Sequence, residues 1–286
     1  MEFDLDLNWF EKNIPPRFPP REPKIDLRDC TWIYPEGAIG VFLILRHYVQ
    51  KGLRPTVFRP TDRDVDSYFE RTGVMFNTYE EVNYVPEIDD IIYHNWYERN
   101  TMQEITRVAN LSQIAGIVDK FGNALNTQID DKRILVKIKS AMLEAFQNMP
   151  MHANPENPRE FEGYANLQIY ENSSRIVVAA GDLGVGIKKS LQTSKLYKTI
   201  VMNDLDGIKR VVYQGASRYA GTPKDSEHGG GVRRVFDIVK GLKGGVAIRT
   251  GTAAIIMRPF RRIEERENLQ YFPGTQITIT FRRKFH

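Results

Sequence analysis

The sequence predicts an α/β protein built from two domains. Its 286 residues exceed the length of one ordinary domain. Between residues 25 and 85, strand-like and helix-like patterns alternate, which is typical of a small α/β unit. Beyond residue 104, two long amphipathic segments precede several strand-like runs. We therefore predict an N-terminal arm over 1–24, a small domain over 25–85, a linker over 86–103 and a second domain over 104–286.

The composition indicates a soluble globular protein. Hydrophobic residues make up 41% of the chain and charged residues 27%, which is enough apolar material for two cores. The net charge of +4 is too small to indicate nucleic acid as the main partner. A single cysteine, Cys30, excludes an internal disulfide. The N-terminus lacks a signal peptide and the longest apolar run, Ala38–Leu45, is far shorter than the roughly 20 residues that span a bilayer, so we expect a cytoplasmic protein with no membrane partner.

The first 24 residues contain five prolines, which exclude a regular helix or a central strand. We interpret this segment as an extended lead-in, with a proline-rich ligand for another domain as the alternative. The small domain then follows as strand, helix, strand, helix. The segments are Ile25–Tyr34, Ala38–Val49, Pro55–Phe58 and a last helix capped by Asp62 that ends near Gly73.

The linker and the start of the second domain carry weaker signals. We predict one short strand at Ile91–Tyr93. The spacing of Ile105, Val108 and Leu111 predicts a helix over Met102–Leu125.

One helical segment places an acid, an amide and an imidazole in a line. Glu144, Asn148 and His152 are four residues apart and would share one helix face. Such groups can act as a general base, a metal ligand and a phosphate contact, although Glu and Asn at this spacing are also common on solvated faces. Pro150 predicts that the helix kinks or ends near Asn148.

Two glycine motifs follow. Gly181-Asp182-Leu183-Gly184-Val185-Gly186 comes after a predicted hairpin of Asn166–Tyr170 and Arg175–Ala180, and its glycines let the backbone approach a ligand closely. Gly229 to Gly231 open a helix, where free N–H groups suit a phosphate. The segment of about forty residues between the motifs predicts a lid or a disordered segment, with a short helix over 204–213.

The C-terminal segment predicts three strands and a basic insert. The strands are Gly244–Ile248, Ala253–Met257 and Gly274–Phe281, the last of them entered through Gly274-Thr275. The insert 258–272 and the tail 282–284 are rich in Arg and Lys. They are consistent with a solvated hairpin and tail or with a surface for nucleic acid or an acidic partner.

The order of these motifs resembles the ATP-binding domain of the GHKL superfamily, the histidine kinase-like ATPases. The shared features are an E-x-x-x-N helix, a D-x-G-x-G turn, a lid, a glycine-rich helix start and a terminal Gly-Thr strand. The E-x-x-x-N-x-x-x-H form is most similar to the anti-sigma-factor serine kinases. The resemblance implies a Bergerat-type α/β sandwich over residues 104–286, with a mixed sheet covered on one face by helices.

The resemblance also implies roles for particular residues. Glu144 would be the general base, and Asn148 would hold Mg²⁺ against the phosphates of ATP, with His152 beside them. Asp182 would bind the adenine amino group in a pocket that Gly184 and Gly186 shape. Gly229 and Gly231 would lie against the phosphates, and Thr275 would reach the adenine edge through a water.

Residues 25 to 76 resemble the STAS domain of anti-sigma-factor antagonists. Those antagonists carry a phosphorylatable Ser or Thr where this chain has Tyr34-Pro35-Glu36-Gly37. Glu36 is therefore either an ordinary acid of a helix start or a phosphoserine mimic.

The two resemblances together imply an Mg-ATP-binding regulatory protein of a signalling system. No phosphoacceptor-histidine helix precedes the second domain, so the expected activity is that of a protein serine/threonine kinase or a weak ATPase. The alternative is a nucleotide-gated interaction module without significant catalysis. We expect a protein partner at the STAS-like domain and allow for a homodimer.

Overall fold

The computed structural model of the protein describes residues 3–5, 22–87, 101–153, 162–171, 173–222 and 230–282. For residues 3–5, 151 and 152 only the backbone is described. The chain is a mixed α/β protein, as the sequence predicts. Among the described residues, no helix combines the length and the apolarity that crossing a bilayer requires.

The N-terminal part is a small α/β unit with a three-stranded parallel sheet of order β2-β4-β5. The predicted alternation of strands and helices is confirmed, and Asp62 caps α2 by accepting hydrogen bonds from the N–H groups of Asp64 and Val65 at 2.9 and 3.1 Å. A further strand, β1, pairs in parallel with β3. The elements are β1 (Phe3–Leu5), β2 (Lys24–Asp26), β3 (Cys30–Ile33), α1 (Pro35–Gln50), β4 (Thr56–Phe58), α2 (Arg63–Arg71) and β5 (Asn83–Val85).

The remaining elements surround a seven-stranded sheet. They are β6 (Met102–Val108), α3 (Leu111–Asn126), α4 (Lys132–His152), β7 (Gly163–Tyr170), β8 (Arg175–Asp182), α5 (Gly186–Gln192), α6 (Asp204–Lys209) and a π-helix (Arg210–Gln214). They continue as α7 (Gly231–Gly241), β9 (Gly245–Gly251), β10 (Ala253–Met257), β11 (Glu264–Arg266) and β12 (Phe272–Arg282). The predicted hairpin, the C-terminal strands and the short helix between the two glycine motifs are confirmed.

The order of the sheet is β11-β10-β9-β12-β8-β7-β6, and all neighbouring strands are antiparallel. The expectation of a mixed sheet is therefore wrong. One face carries the helices of the second part over a core that includes Phe121, Phe146, Val235 and Ile248.

The other face of the sheet carries α1. The expectation that helices cover only one face is therefore wrong. Leu43 of α1 is fully buried, and Phe42 packs edge-on against Tyr164 of β7 with ring centroids 4.6 Å apart. Ala179 of β8 and Phe272 of β12 belong to the same buried cluster. The sheet is thus covered by helices on both faces, and its second face joins the two parts of the chain.

The helix predicted over Met102–Leu125 is wrong in its first third, because residues 102–108 form β6. Ile105 packs in the cluster beneath α1, whereas Val108 packs beneath α3 and α4. Side chains three positions apart on a strand point to opposite faces of the sheet. Both are buried here because helices cover both faces. The helix begins only after Asn110, whose side chain accepts a hydrogen bond from the N–H of Gln113 at 3.1 Å.

The remaining predictions concern the end of α4 and two segments outside the described residues. Helix α4 continues through Pro150 to His152, so the alternative in which it ends near Asn148 is wrong. A proline cannot donate to the carbonyl four residues earlier, and the long helix tolerates the loss of one bond in its last turn. The proposed arm over residues 6–21 and the strand at Ile91–Tyr93 lie outside the described residues.

Candidate functional site

Helix α4 carries Glu144 and Asn148 one turn apart, as the spacing predicts. The apolar stripe of the helix, which includes Met142 and Phe146, is fully buried against the sheet. The polar pair therefore points away from the core. The side-chain amide of Asn148 donates to the backbone carbonyl of Glu144 at 2.6 Å, which fixes its orientation. Of His152 only the backbone position, at the end of the helix, is described.

Asp182 ends β8 as a buried carboxylate, with 6% of its surface exposed. Its Oδ1 accepts a hydrogen bond from the N–H of Gly184 at 2.8 Å. Burial raises the pKa of Asp182 to about 7, although hydrogen bonds from the N–H groups of Gly184 and Thr275 act to lower it. None of the ion pairs among the described residues involves this carboxylate. A buried carboxylate with remaining acceptor capacity is suited to a neutral N–H donor of a ligand.

Glycines allow the turn after β8 to pack closely. A Cβ at Gly184 would lie 2.2 Å from the Cα of Ala153, so this turn rests directly on the end of α4. Gly186 has a φ of +77°, and a Cβ there would lie 2.8 Å from Oγ1 of Thr250. The two glycines therefore bring the turn against α4 on one side and against β9 on the other.

The N-terminus of α7 faces the polar pair of α4. Gly230 precedes the helix with a φ of +79°, and no side chain caps the first turn. A Cβ at Gly231 would lie 3.1 Å from Oε2 of Glu144 and 3.3 Å from Oδ1 of Asn148. Backbone N–H groups at a helix start have no partner within the helix and carry its positive end. Gly229 lies outside the described residues.

Thr275 lies beside Asp182 because the two residues pair across β12 and β8. On its other side Thr275 pairs with Thr250 of β9, which is buried. The Thr250 hydroxyl donates to the carbonyl of Gly274 at 2.7 Å and lies 3.5 Å from the Thr275 hydroxyl. Thr250 is a residue that the sequence analysis missed, since a threonine inside an ordinary strand gives no signal.

One cleft lies between α4, α7 and the sheet. It encloses about 670 Å³ of empty space, its open mouth included. Of the predicted site residues, Asn148, Asp182, Gly186, Gly231 and Thr275 line it. Its walls are otherwise mainly apolar, with Ala145, Met149, Ile187, Leu191, Val211, Val232 and Ile277. An apolar cleft with a few convergent polar groups is typical of a site for a small organic ligand.

Glu144 does not line this cleft and instead pairs with a residue that the sequence analysis missed. Arg234 of α7 donates from Nε to Oε1 of Glu144 at 2.7 Å and from Nη2 to Oε2 at 3.0 Å. The hydrogen bonds to Glu144 raise the pKa of the guanidinium. Nε of the neighbouring Arg233 lies 3.8 Å from Oδ2 of Asp237 on the same helix. The sequence gives no signal for Arg234, because the ion pair depends on how α7 packs against α4.

The residues of the cleft supply few ligands for a metal. In the part of the chain that the structure describes, no three His, Cys, Asp or Glu side chains form a group that could hold a metal ion. Asn148 offers one amide oxygen at the polar end. Mg²⁺ commonly keeps several waters and takes substrate phosphates as ligands, so one protein oxygen is compatible with Mg²⁺ that arrives with a nucleotide.

Comparison of the chain with protein-family models and with curated proteins finds no match.

Proposed function

We propose that the chain binds Mg-ATP in the cleft between α4, α7 and β8, in the manner of the GHKL superfamily. The observation that carries the proposal is that one cleft is lined by a buried carboxylate with no ion pair among the described residues, by an amide and by an uncapped helix N-terminus. A buried acceptor suits the amino group of a base, and an amide beside free N–H groups suits a phosphate.

At the inner end, the base would contact Asp182. An exocyclic amine donates hydrogen bonds, and the ionised carboxylate of Asp182 accepts them. The apolar walls formed by Met149, Leu191 and Ile277 suit the faces of a purine ring. Thr275, beside Asp182, would contact the edge of the base.

At the outer end, the phosphates would lie against Gly230 and Gly231. The free N–H groups there and the positive end of α7 favour an anion. Gly231 leaves the space that a Cβ would fill next to Glu144 and Asn148, so a phosphate can approach both side chains. Asn148 would supply the protein oxygen for Mg²⁺.

The expected reaction is transfer of the terminal phosphoryl group to a Ser or Thr hydroxyl, or to water in a weak ATPase. Glu144 would accept the proton of the attacking hydroxyl as its oxygen bonds to the γ-phosphorus and the bond to the β-phosphate oxygen breaks, releasing ADP. For this step the Glu144 carboxylate must be available to the nucleophile.

The alternative function, a nucleotide-gated interaction module, is favoured by the ion pair between Glu144 and Arg234. Both carboxylate oxygens of Glu144 are engaged by the guanidinium, so the base is occupied in this conformation. In such a module, ATP would change the surface offered to a partner while hydrolysis stays slow.

ADP release under saturating Mg-ATP tests these functions, comparing the wild type with Glu144→Gln and Asp182→Asn. For an enzyme we expect turnover that disappears in Glu144→Gln while that variant still binds ATP. For a gated module we expect no turnover in any form and loss of binding in Asp182→Asn alone. Absence of ATP binding by the wild type would contradict both.

A further inference from the structure

A second cleft lies on the opposite face of the sheet. Thr278, Ala247 and Ile256 are neighbours across β12, β9 and β10, and the same row continues to Ala179, which packs beneath α1. The row therefore lies on the face of the sheet that carries α1, and its part from Thr278 to Ile256 lies beside that helix. The cleft has about 1300 Å³ of open space, about twice that of the first cleft. We call it the basic cleft, and it is lined by Tyr34, Glu36, Arg175, Lys243–Ala247, Ile256–Pro259, Thr278 and Thr280–Arg282.

Along β9 and β12, the floor of the basic cleft carries small side chains and hydroxyls, with Ile256 of β10 beside them. Gly245 and Ala247 leave the backbone of β9 close to the surface, and Thr278 and Thr280 project from β12 beside them. The Thr278 hydroxyl is buried and finds no hydrogen-bond partner within the described part of the chain. A buried hydroxyl without a partner costs free energy, and a ligand that accepts a hydrogen bond would recover that cost.

Aromatic rings hold one of the cations at the wall. The guanidinium of Arg175 lies 5.7 Å from the ring centroid of Tyr34 and 6.0 Å from that of Tyr170. These two rings are 6.4 Å apart, and Trp32 packs against both. Cation–π contacts restrict the arginine without neutralising it, so its N–H groups stay available to an anion.

Three cations of the cleft have no acidic partner in the part of the chain that the structure describes. Among the described residues, no ion pair joins Arg175, Lys243 or Arg282 to a carboxylate, whereas Arg258 pairs with Glu264 at 2.5 Å. Among the described residues that line the cleft, the one acid is Glu36 at the start of α1. Burial raises the pKa of the Tyr170 phenol, and the charge of Glu36 adds to this rise. The unpaired cations Arg175, Lys243 and Arg282 outnumber this acid, so the lining is positive in sum.

We propose that the basic cleft binds an acidic, extended segment of a partner protein. Its charged rim and hydroxyl floor differ from the apolar walls that small-molecule sites present, and they are complementary to a row of carboxylates. Single-stranded nucleic acid is bound by aromatic faces that stack on bases, but Tyr34 and Tyr170 are already stacked with Arg175. This inference is independent of the nucleotide cleft.

The test is binding of a fluorescein-labelled octapeptide with four glutamates, measured by fluorescence polarisation against its glutamine counterpart. The variant is Lys243→Asn with Arg282→Gln. Both residues are exposed, and asparagine tolerates the φ of +51° at position 243. The matched control is Lys132→Asn with Lys137→Gln, which removes the same charge from the exposed side of α4.

We expect the glutamate peptide alone to bind, with affinity that falls as salt rises and that is weakened about tenfold or more in the variant but not in the control. Unchanged thermal unfolding of the variant would show that the fold is intact. Absence of peptide binding, or equal loss in variant and control, would overturn the proposal. Tighter binding of a single-stranded oligonucleotide with the same dependence on Lys243 and Arg282 would overturn the assignment to a protein segment.

Discussion

Asp182 is a carboxylate whose pKa burial raises to about 7, and ATP binding should depend on its ionisation. The exocyclic amine of adenine donates to the ionised form, whereas the keto oxygen of hypoxanthine in ITP accepts from the protonated form. We expect the ratio of ATP affinity to ITP affinity to rise about a hundredfold between pH 6 and 8, because the ratio of ionised to protonated Asp182 changes tenfold per pH unit. Residual nucleotide binding by Asp182→Asn should show a ratio that does not change with pH. ATP and ITP carry the same triphosphate. The ratio of their affinities, measured by titration at each pH, is therefore independent of phosphate ionisation. A ratio that does not change with pH in the wild type would contradict this role.

The same pKa has a consequence for folding. An acid whose pKa is higher in the folded protein stabilises the fold fully below its unfolded pKa of about 3.9, and this contribution is lost as pH rises through about 7. Asp182→Asn should therefore remove a decrease in stability between those two values. The buried carboxylate is retained at a cost to stability, as expected for a ligand-binding residue.

Arg234 pairs with Glu144 at the end of the cleft where the phosphates are expected. A guanidinium there should add a contact to a terminal phosphate that ADP lacks. We expect Arg234→Ala to weaken ATP binding about fivefold to tenfold and ADP binding less than twofold, with partial recovery in Arg234→Lys. The pair is partly exposed, so the free energy of unfolding should change by less than about 1 kcal/mol. Equal losses for both nucleotides in calorimetric titrations would indicate a purely structural role.

At the scale of elements, the lid helices are tied to the basic insert. Glu265 of β11 accepts a hydrogen bond from the Tyr213 hydroxyl at 3.1 Å and pairs with Lys209 at 2.6 Å. Asp204 accepts from the N–H and hydroxyl of Thr252 at 2.8 and 3.0 Å. This segment, from which Val211 lines the first cleft, is thus held by contacts outside that cleft.

We expect Glu265→Gln to loosen this segment without unfolding the protein. It weakens one ion pair and one hydrogen bond, so amide exchange over residues 204–214 should become faster while global stability falls by less than about 1 kcal/mol. The matched control is Glu267→Gln on the same insert, where residue 267 is exposed. Equal exchange in both variants would show that Glu265 does not restrain the lid.

The elements also show what the sequence could predict. Helices with one buried face, such as α1 and α7, and the alternating strand β12 follow from their periodicity, and Asp62 marks the start of α2. Strand β6 could not be recognised, because its two buried residues, Ile105 and Val108, are three positions apart, which is the spacing of a helix. The convergence of Asn148, Asp182, Gly231 and Thr275 was predicted only through the order of the motifs. The ion pair of Glu144 depends on how α4 and α7 pack, which no local pattern contains.

At the scale of the whole molecule, α1 joins the N-terminal part to the sheet of the second part. Leu43 is fully buried, and its Cδ1 lies 2.6 Å from the position of a Cβ at Gly181, directly before Asp182. The division into domains over 25–85 and 104–286 stays a prediction, and these contacts lead us to expect that both parts unfold together.

Leu43→Ala should test this coupling. Removing a buried leucine side chain should cost about 2–5 kcal/mol, and unfolding should remain a single transition. Val136→Ala on the exposed side of α4, where the side chain is 61% exposed, is the control and should change stability by less than about 0.5 kcal/mol. Circular dichroism and amide exchange of Ile105 and Ile138 would follow the two cores. Unfolding of residues 25–85 while the seven-stranded sheet persists would contradict the expectation.

The central claim is that one cleft of this molecule binds a nucleotide, and hydrogen exchange with and without saturating Mg-ATP tests it most directly. We expect slower amide exchange in four separate segments that meet at the cleft, around residues 144–149, 181–191, 230–235 and 274–276. Asp182→Ala should abolish these changes while its exchange without nucleotide stays like that of the wild type elsewhere. Absence of protection in the wild type, or protection confined to other segments, would contradict the claim.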